Sequence, residues 1–346
     1  MKKRTLITAL SGLAMIASVT TAFAQDVSLR FSNWLPPTHP IVTNMVEPWA
    51  ADVAKATEGR VTVQILPALG APGAHFDLVS NGVADIAFGV HAYTPERFKL
   101  TEIVELPFTA ENAQVNSIAY WRTYDEFFAS ADEHAGTRLL GLWVPGSYQL
   151  FTREGVAGID DLQGLRIRVP GAIVERIATQ LGLVSISSPL TEAYDQISRG
   201  IIDGMFQTYA TVMDFNMTEH MPVLMTVPGG FSASSQFMVI SDAAWARISP
   251  EDQEAIAALS GEAMVSRFAA VWQEHNGGAD ADLVAAGVTK IDLTGEELSR
   301  VEELLAPIKD GWLEEANARG VDADAALAFY REAIDTVAQE LGVPAN

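Results

Sequence analysis

The feature that most narrows the fold of this chain is a repeated change of period, in which short strand-like runs give way to helical spacing and back again. Val27 to Phe31 alternates and reads as a strand, ending at the polar and aromatic turn Ser32-Asn33-Trp34 and a proline-rich loop with Pro36, Pro37 and Pro40. Helical spacing follows over about 41–57, with Met45, Val46, Trp49 and Val53 on one side and a bend expected at Pro48. A strand over 60–66, a helix over 74–81 and a strand over 85–88 repeat the alternation. Further strands are expected at 139–144, 165–169, 201–206 and 237–241, with helices at 118–128, 173–181 and 192–198. Such interleaving predicts βαβ units and mostly parallel sheets, whose ligands gather at the carboxyl ends of strands. The C-terminal part reads as helical. Ser249-Pro250-Glu251-Asp252 supplies a hydroxyl cap and a first-turn proline for a helix running to about His275, and Thr294-Gly295-Glu296-Glu297 reads as a second capping box.

The 346 residues suffice for two compact lobes. Hydrophobic residues at 49% and charged residues at 19% fit a folded globular protein. A formal charge of -22 repels nucleic acid and anionic lipid over most of the surface, so nucleic acid is not expected as a partner. With no cysteine there is no disulfide framework, thiolate nucleophile or cysteine-held metal centre.

Lys2, Lys3 and Arg4 precede an apolar run from Leu6 to Val19, closed by Ala22-Phe23-Ala24. These are the three parts of a secretory signal peptide over 1–24, cleaved after Ala24. No later apolar run reaches the ~18 residues that a spanning helix needs, so the mature chain is expected to be exported without a membrane anchor.

Local signatures for common enzymes are missing. The six histidines, at 39, 75, 91, 134, 220 and 275, form no HExxH pair, and GxSxG and GxxxxGK[ST] are absent. No catalytic residue, cofactor or metal site is expected. Asp280 with Asp282, and Asp322 with Asp324, lack the turn glycine and terminal glutamate of a calcium loop and read as solvated or capping. Gly164-Leu165-Arg166-Ile167-Arg168-Val169-Pro170 is the most suggestive segment. In a strand Arg166 and Arg168 share one side, and a guanidinium facing a cleft can grip a carboxylate through two parallel hydrogen bonds.

This segment, extended back to Asp161, resembles the extracytoplasmic solute-binding proteins of tripartite ATP-independent periplasmic (TRAP) transporters, of the dicarboxylate-binding (DctP) type. The resemblance also rests on Glu192-Ala193-Tyr194 followed by Gly200-Ile201-Ile202-Asp203-Gly204, and on Gly82-Val83-Ala84-Asp85 ahead of Glu105-Leu106-Pro107-Phe108. It implies an α/β, two-lobe periplasmic-binding-protein fold joined by hinge strands and a long helix. Lobe I would comprise 25–145 and 235–277, and 146–234 with 278–346 would make lobe II and the C-terminal helices. It further implies a periplasmic monomer that closes over a small carboxylate and delivers it to TRAP membrane permease subunits driven by an ion gradient. A receptor for an ABC importer or a sensor kinase would have the same shape. A secreted enzyme, with His91 and a nearby acid in the cleft, is the rival from another class.

Carried over residue by residue, the resemblance assigns the ligand carboxylate to Arg168 and a structural role to Arg166. Gln207 stands where asparagine is common in the family, and Asn33, Trp34 and His91 match its loop positions. Tyr148, followed by Gln149, occupies the place of a second basic ligand-binding residue in many relatives. A monocarboxylate with hydroxyl, keto or apolar substituents therefore fits at least as well as a dicarboxylate, with Trp34, Tyr148, Phe206 and Tyr209 offering ring faces and hydroxyls.

Overall fold

The computed structural model describes residues 26–109, 111–153 and 155–344. The expected signal peptide lies outside them. In chain order the strands are β1 (Val27–Asn33), β2 (Val61–Pro67), β3 (Ile86–Val90), β4 (Thr137–Trp143), β5 (Ser147–Thr152), β6 (Arg166–Val169), β7 (Val184–Ser187), β8 (Gly204–Gln207), β9 (Val223–Thr226), β10 (Ser232–Ala233), β11 (Gln236–Ser241) and β12 (Thr289–Asp292). They form two sheets. The first has the order β2-β1-β3-β11-β4; the second has β12-β9-β5-β8-β6-β7, with β10 added on β5.

Both sheets are mixed. The βαβ units give parallel pairs, β1 with β2 and β3, and β6 with β7 and β8. The strands on which the chain changes sheet run the other way: β11 is antiparallel to β3 and β4, and β5 to β8, β9 and β10. The chain crosses from β4 to β5 through Val144-Pro145-Gly146, and returns from β10 to β11 through Ser234-Ser235. Gly146 has φ +128°, which a side chain rarely tolerates. The helix Glu262–Asn276 ends at this crossing, where Asn276 Nδ2 donates to the Pro145 carbonyl over 2.6 Å.

Helices cover the sheets because their apolar stripes need a partner. Trp49 and Val53 of Glu47–Ala56 are buried in the first lobe, and Ile173, Val174, Ile177 and Ala178 of Ala172–Gln180 in the second. The bend expected at Pro48 is a junction: a π-helical turn, Ile41–Val46, leads into the α-helix with the proline in its first turn. The helix expected over 249–275 is two helices, Pro250–Ala258 and Glu262–Asn276. They are separated at Gly261, whose φ is +61° and whose N–H donates to the Leu140 carbonyl over 2.7 Å. Ser249 caps as its sequence implies, accepting from Asp252 N. Thr294 stands at the N-cap of Gly295–Ala318 without making a side-chain cap bond. The C-terminal helix Ala323–Leu341 packs on Ala113–Thr123 beside the first sheet.

Candidate ligand-binding site

The lobes meet around a narrow cleft cavity of about 30 Å3. Arg168, Leu190, Gln207 and Thr211 line it from the second lobe; Trp34, His39, Val90, Tyr93, Gln236 and Trp272 do so from the first, and Tyr148 from the crossing strand.

Arg168 sits on β6, two residues after Arg166, and the two share a side of the strand but not a role. Arg166, at the outer end, closes on Asp203, its Nη2 2.7 Å from Oδ1 and its Nε 2.9 Å from Oδ2. Arg168 is 1% exposed. Its Nε donates to the Ser188 carbonyl at 2.9 Å and its Nη2 to the Tyr93 hydroxyl at 3.3 Å. Among the described residues no carboxylate pairs with it. A buried guanidinium facing only neutral acceptors is an uncompensated cation, and a ligand anion would complete it. The Tyr93 hydroxyl also accepts from Leu190 N at 3.0 Å, so its own proton remains to be donated.

The other polar groups are similarly half-used. Gln207 Oε1 accepts from Thr208 N at 2.8 Å, which orients the amide and leaves its NH2 group for the cavity. His39 is neutral near pH 7, its pKa lowered to about 4 by burial, with Asp214 raising it and His275 lowering it in smaller measure. Its Nδ1 accepts from Ile41 N at 3.2 Å, which puts the proton on Nε2. Burial pushes the Tyr148 phenol up, while Arg168 and the Ser234 hydroxyl pull it back, so it stays protonated. Aromatic faces supply the walls: Trp34 stacks on Phe88 at 5.1 Å and meets Tyr93 edge-on at 6.1 Å.

Five residues singled out from sequence lie outside this lining. Asn33 spends both amide atoms on Leu35, accepting from its N–H at 3.0 Å and donating to its carbonyl at 2.8 Å, and so shapes the loop that presents Trp34. Gln149 is fully buried with its amide closed on the N–H and carbonyl of Val227. Phe206 is core, packed on Phe231 at 5.5 Å. Tyr209 faces a separate groove with Lys290 and Asp292. His91 bonds Ser235 Oγ at 2.7 Å and His134 Nε2 at 2.9 Å, and burial lowers its pKa well below the ordinary value. Its neighbours Val90 and Tyr93 reach the cavity in its place. Tyr93, His39, Gln236 and Trp272 were not singled out from sequence. The proline-rich loop holding His39 was the one local signal for any of them.

A two-lobed α/β fold holding one unpaired arginine in an aromatic-walled cleft between the lobes is built to enclose a small anion; that is the class of a solute receptor. The chain belongs to the bacterial extracellular solute-binding protein family 7 (DctP), whose family model matches residues 31–315. It is 30% identical over 92% of its length to TsaT of Comamonas testosteroni, described as an outer membrane transporter protein, of which the match covers 95%. Among solved structures it resembles a TRAP periplasmic solute-binding protein of Bordetella bronchiseptica with bound (R)- and (S)-mandelate, at 36% identity and a TM-score of 0.87, covering 90% of this chain and 99% of that one. It also resembles a TRAP solute-binding protein of Rhodoferax ferrireducens in complex with benzoate, at 25% identity and a TM-score of 0.84, covering 91% and 99%. The chain is thus a solute-binding protein of the TRAP type.

Proposed function

We propose that this protein captures an aromatic monocarboxylate in the periplasm, by lobe closure, and delivers it to TRAP permease subunits. The observation that carries the ligand class is the buried Arg168, without an anionic partner among the described residues and surrounded by Trp34, Tyr93, Tyr148 and Trp272. One cation suits one carboxylate, and ring faces suit an aromatic body. Mandelate and benzoate in the two related structures agree with this choice. Closure follows from the placement of the lining: Arg168 and Gln207 belong to the second lobe, Trp34 and Tyr93 to the first, so a ligand touching both selects the closed state.

A melting-temperature screen of the mature protein tests the reading, since a ligand that binds the folded state raises the midpoint according to its concentration over Kd. Benzoate, phenylacetate and mandelate are expected to raise it, and succinate and gluconate to leave it unmoved. A shift with succinate or gluconate and none with the aromatic acids would overturn the assignment.

A further inference from the structure

Three buried polar groups on this side of the cavity are left open after the carboxylate has been assigned to Arg168: Gln236, Trp272 and, on the connection just before β11, the Ser234 hydroxyl beside Tyr148. Gln236, at the first position of β11, and Trp272, in the helix Glu262–Asn276, both line it. They are 8% and 3% exposed. Gln236 Oε1 and Trp272 Nε1 are buried, and neither has a hydrogen-bond partner among the described residues. Trp34 Nε1 donates to the Phe88 carbonyl, Gln207 binds Thr208, His39 binds Ile41 and Tyr93 binds Leu190, so each of these keeps a protein bond. Buried polar atoms in native proteins are nearly always paired, so an unpaired acceptor and an unpaired donor in one binding cavity point to a group on the ligand.

We infer that the ligand carries a hydroxyl group in addition to its carboxylate, and that Gln236 and Trp272 are the residues that read it. A hydroxyl is the compact neutral group that both donates and accepts, and the pair needs both: an acceptor for the indole N–H, and a donor for the amide oxygen. An ammonium has no acceptor for Trp272. A second carboxylate would be buried without a second cation, because Arg168 is the one charged side chain lining the cavity among the described residues. Gln236 and Trp272 belong to the first lobe and Arg168 to the second, so a hydroxy acid is held from both sides and its hydroxyl adds directly to closure. This inference rests on the aromatic-acid reading and narrows it to hydroxylated aromatic acids.

The test is calorimetric titration of the mature protein, Gln236→Leu and Trp272→Phe with three pairs of acids. These are phenylacetate with mandelate, benzoate with 3-hydroxybenzoate, and benzoate with 4-hydroxybenzoate. At least one hydroxy acid is expected to bind the parent protein about tenfold or more tighter than its partner, since a site that pairs a hydroxyl rejects the analogue lacking it. In both variants that ratio is expected to fall to within about threefold, whatever the change in affinity for the acid without the hydroxyl. Trp272→Phe keeps an aromatic ring at the position and removes the N–H, and so carries the test if Gln236→Leu fails to fold. Equal binding within every pair, or a preference that survives in the folded variants, would overturn the inference and leave the aromatic-acid reading standing. Failure of every aromatic acid to bind would overturn that reading, and this inference with it.

Discussion

Two buried polar regions flank the segment that returns the chain from the second sheet to the first, and they differ in whether their hydrogen bonding is finished. On one side Ser235 Oγ lies 2.7 Å from both the Tyr120 hydroxyl and His91 Nδ1, His91 Nε2 meets His134 Nε2, and His134 Nδ1 meets the Tyr124 hydroxyl at 3.2 Å. Glu105 Oε1 completes the region by accepting from Ser235 N at 3.1 Å. On the other side Ser234 and Gln236, the residues before and after Ser235, line the ligand cavity, where Arg168, Ser234, Gln236 and Trp272 keep open valences. An extended run sends successive side chains to opposite faces, so one short segment serves both regions. The lesson is that burial and polarity are common to both regions, and unfinished pairing around a shared cavity is what separates them.

The comparison breaks most readily at Arg168. Arg168→Met, which keeps the bulk of the side chain, is expected to weaken binding of the cognate acid roughly 30-fold to several thousandfold, the range for one member of a buried charged pair. Titration calorimetry on the folded variant reads this, and retention of parent affinity would remove the anchor from the account. Next comes Gly171, which precedes the helix Ala172–Gln180 and touches the other lobe: an added Cβ would lie 2.7 Å from both Cβ and O of Ala92. Gly171→Ala is expected to disfavour closure and weaken binding on the order of tenfold, while the melting point of the ligand-free protein stays put. Unchanged affinity would show that the lobes need not meet there.

On the finished side the effects fall on stability. His91→Phe removes the bonds to Ser235 and His134 and strands their partners, at an expected cost of about 1 to 3 kcal/mol in denaturant unfolding. Its effect on ligand affinity should stay within about threefold; a large loss of affinity would return His91 to the site. Glu105 sharpens the contrast through pH. Burial first, and Glu102 second, push its pKa up to about 8, against the pull of the Ser235 N–H. The unfolded chain loses this proton near pH ~4.3 and the folded one only near 8, so the carboxyl's contribution to stability falls as pH rises through that window and has been lost above it. Glu105→Gln removes the titration, and its melting temperature relative to the parent protein should rise steadily between about pH 5 and about pH 8.5. A pH-independent difference would contradict the buried, protonated Glu105. The smallest effect is expected at Arg166, whose partner Asp203 is a half-exposed ion pair. Arg166→Ala should leave affinity within about twofold in the same titration, and a loss like that at Arg168 would show that the two arginines act together.

The alternation of periods made the fold legible, and β1, β2, β3, β4 and β11 fall close to where it placed them. The strands it did not show are those whose sequences carry no alternation. All six residues of β5, Ser-Tyr-Gln-Leu-Phe-Thr, are buried, with Gln149 satisfied by the Val227 backbone instead of water. β7, β9 and β12 are four residues each and β10 is two, too short for a period to declare itself. Within the site, Arg168 was legible because two arginines spaced on one strand must be explained, and the structure separates them by depth. The opposite wall was not, because His39, Tyr93, Gln236 and Trp272 come from a loop, a short turn, a strand start and a helix end. Only the tertiary fold brings them together.

The most direct measurement is a crystal structure of the mature protein with the aromatic acid that raises its melting temperature most. The account predicts the carboxylate within hydrogen-bonding distance of Arg168 Nη1 and the Tyr93 hydroxyl, with the ring against Trp34 or Tyr148. A carboxylate held elsewhere, with Arg168 still bonded only to Ser188 and Tyr93, would contradict it.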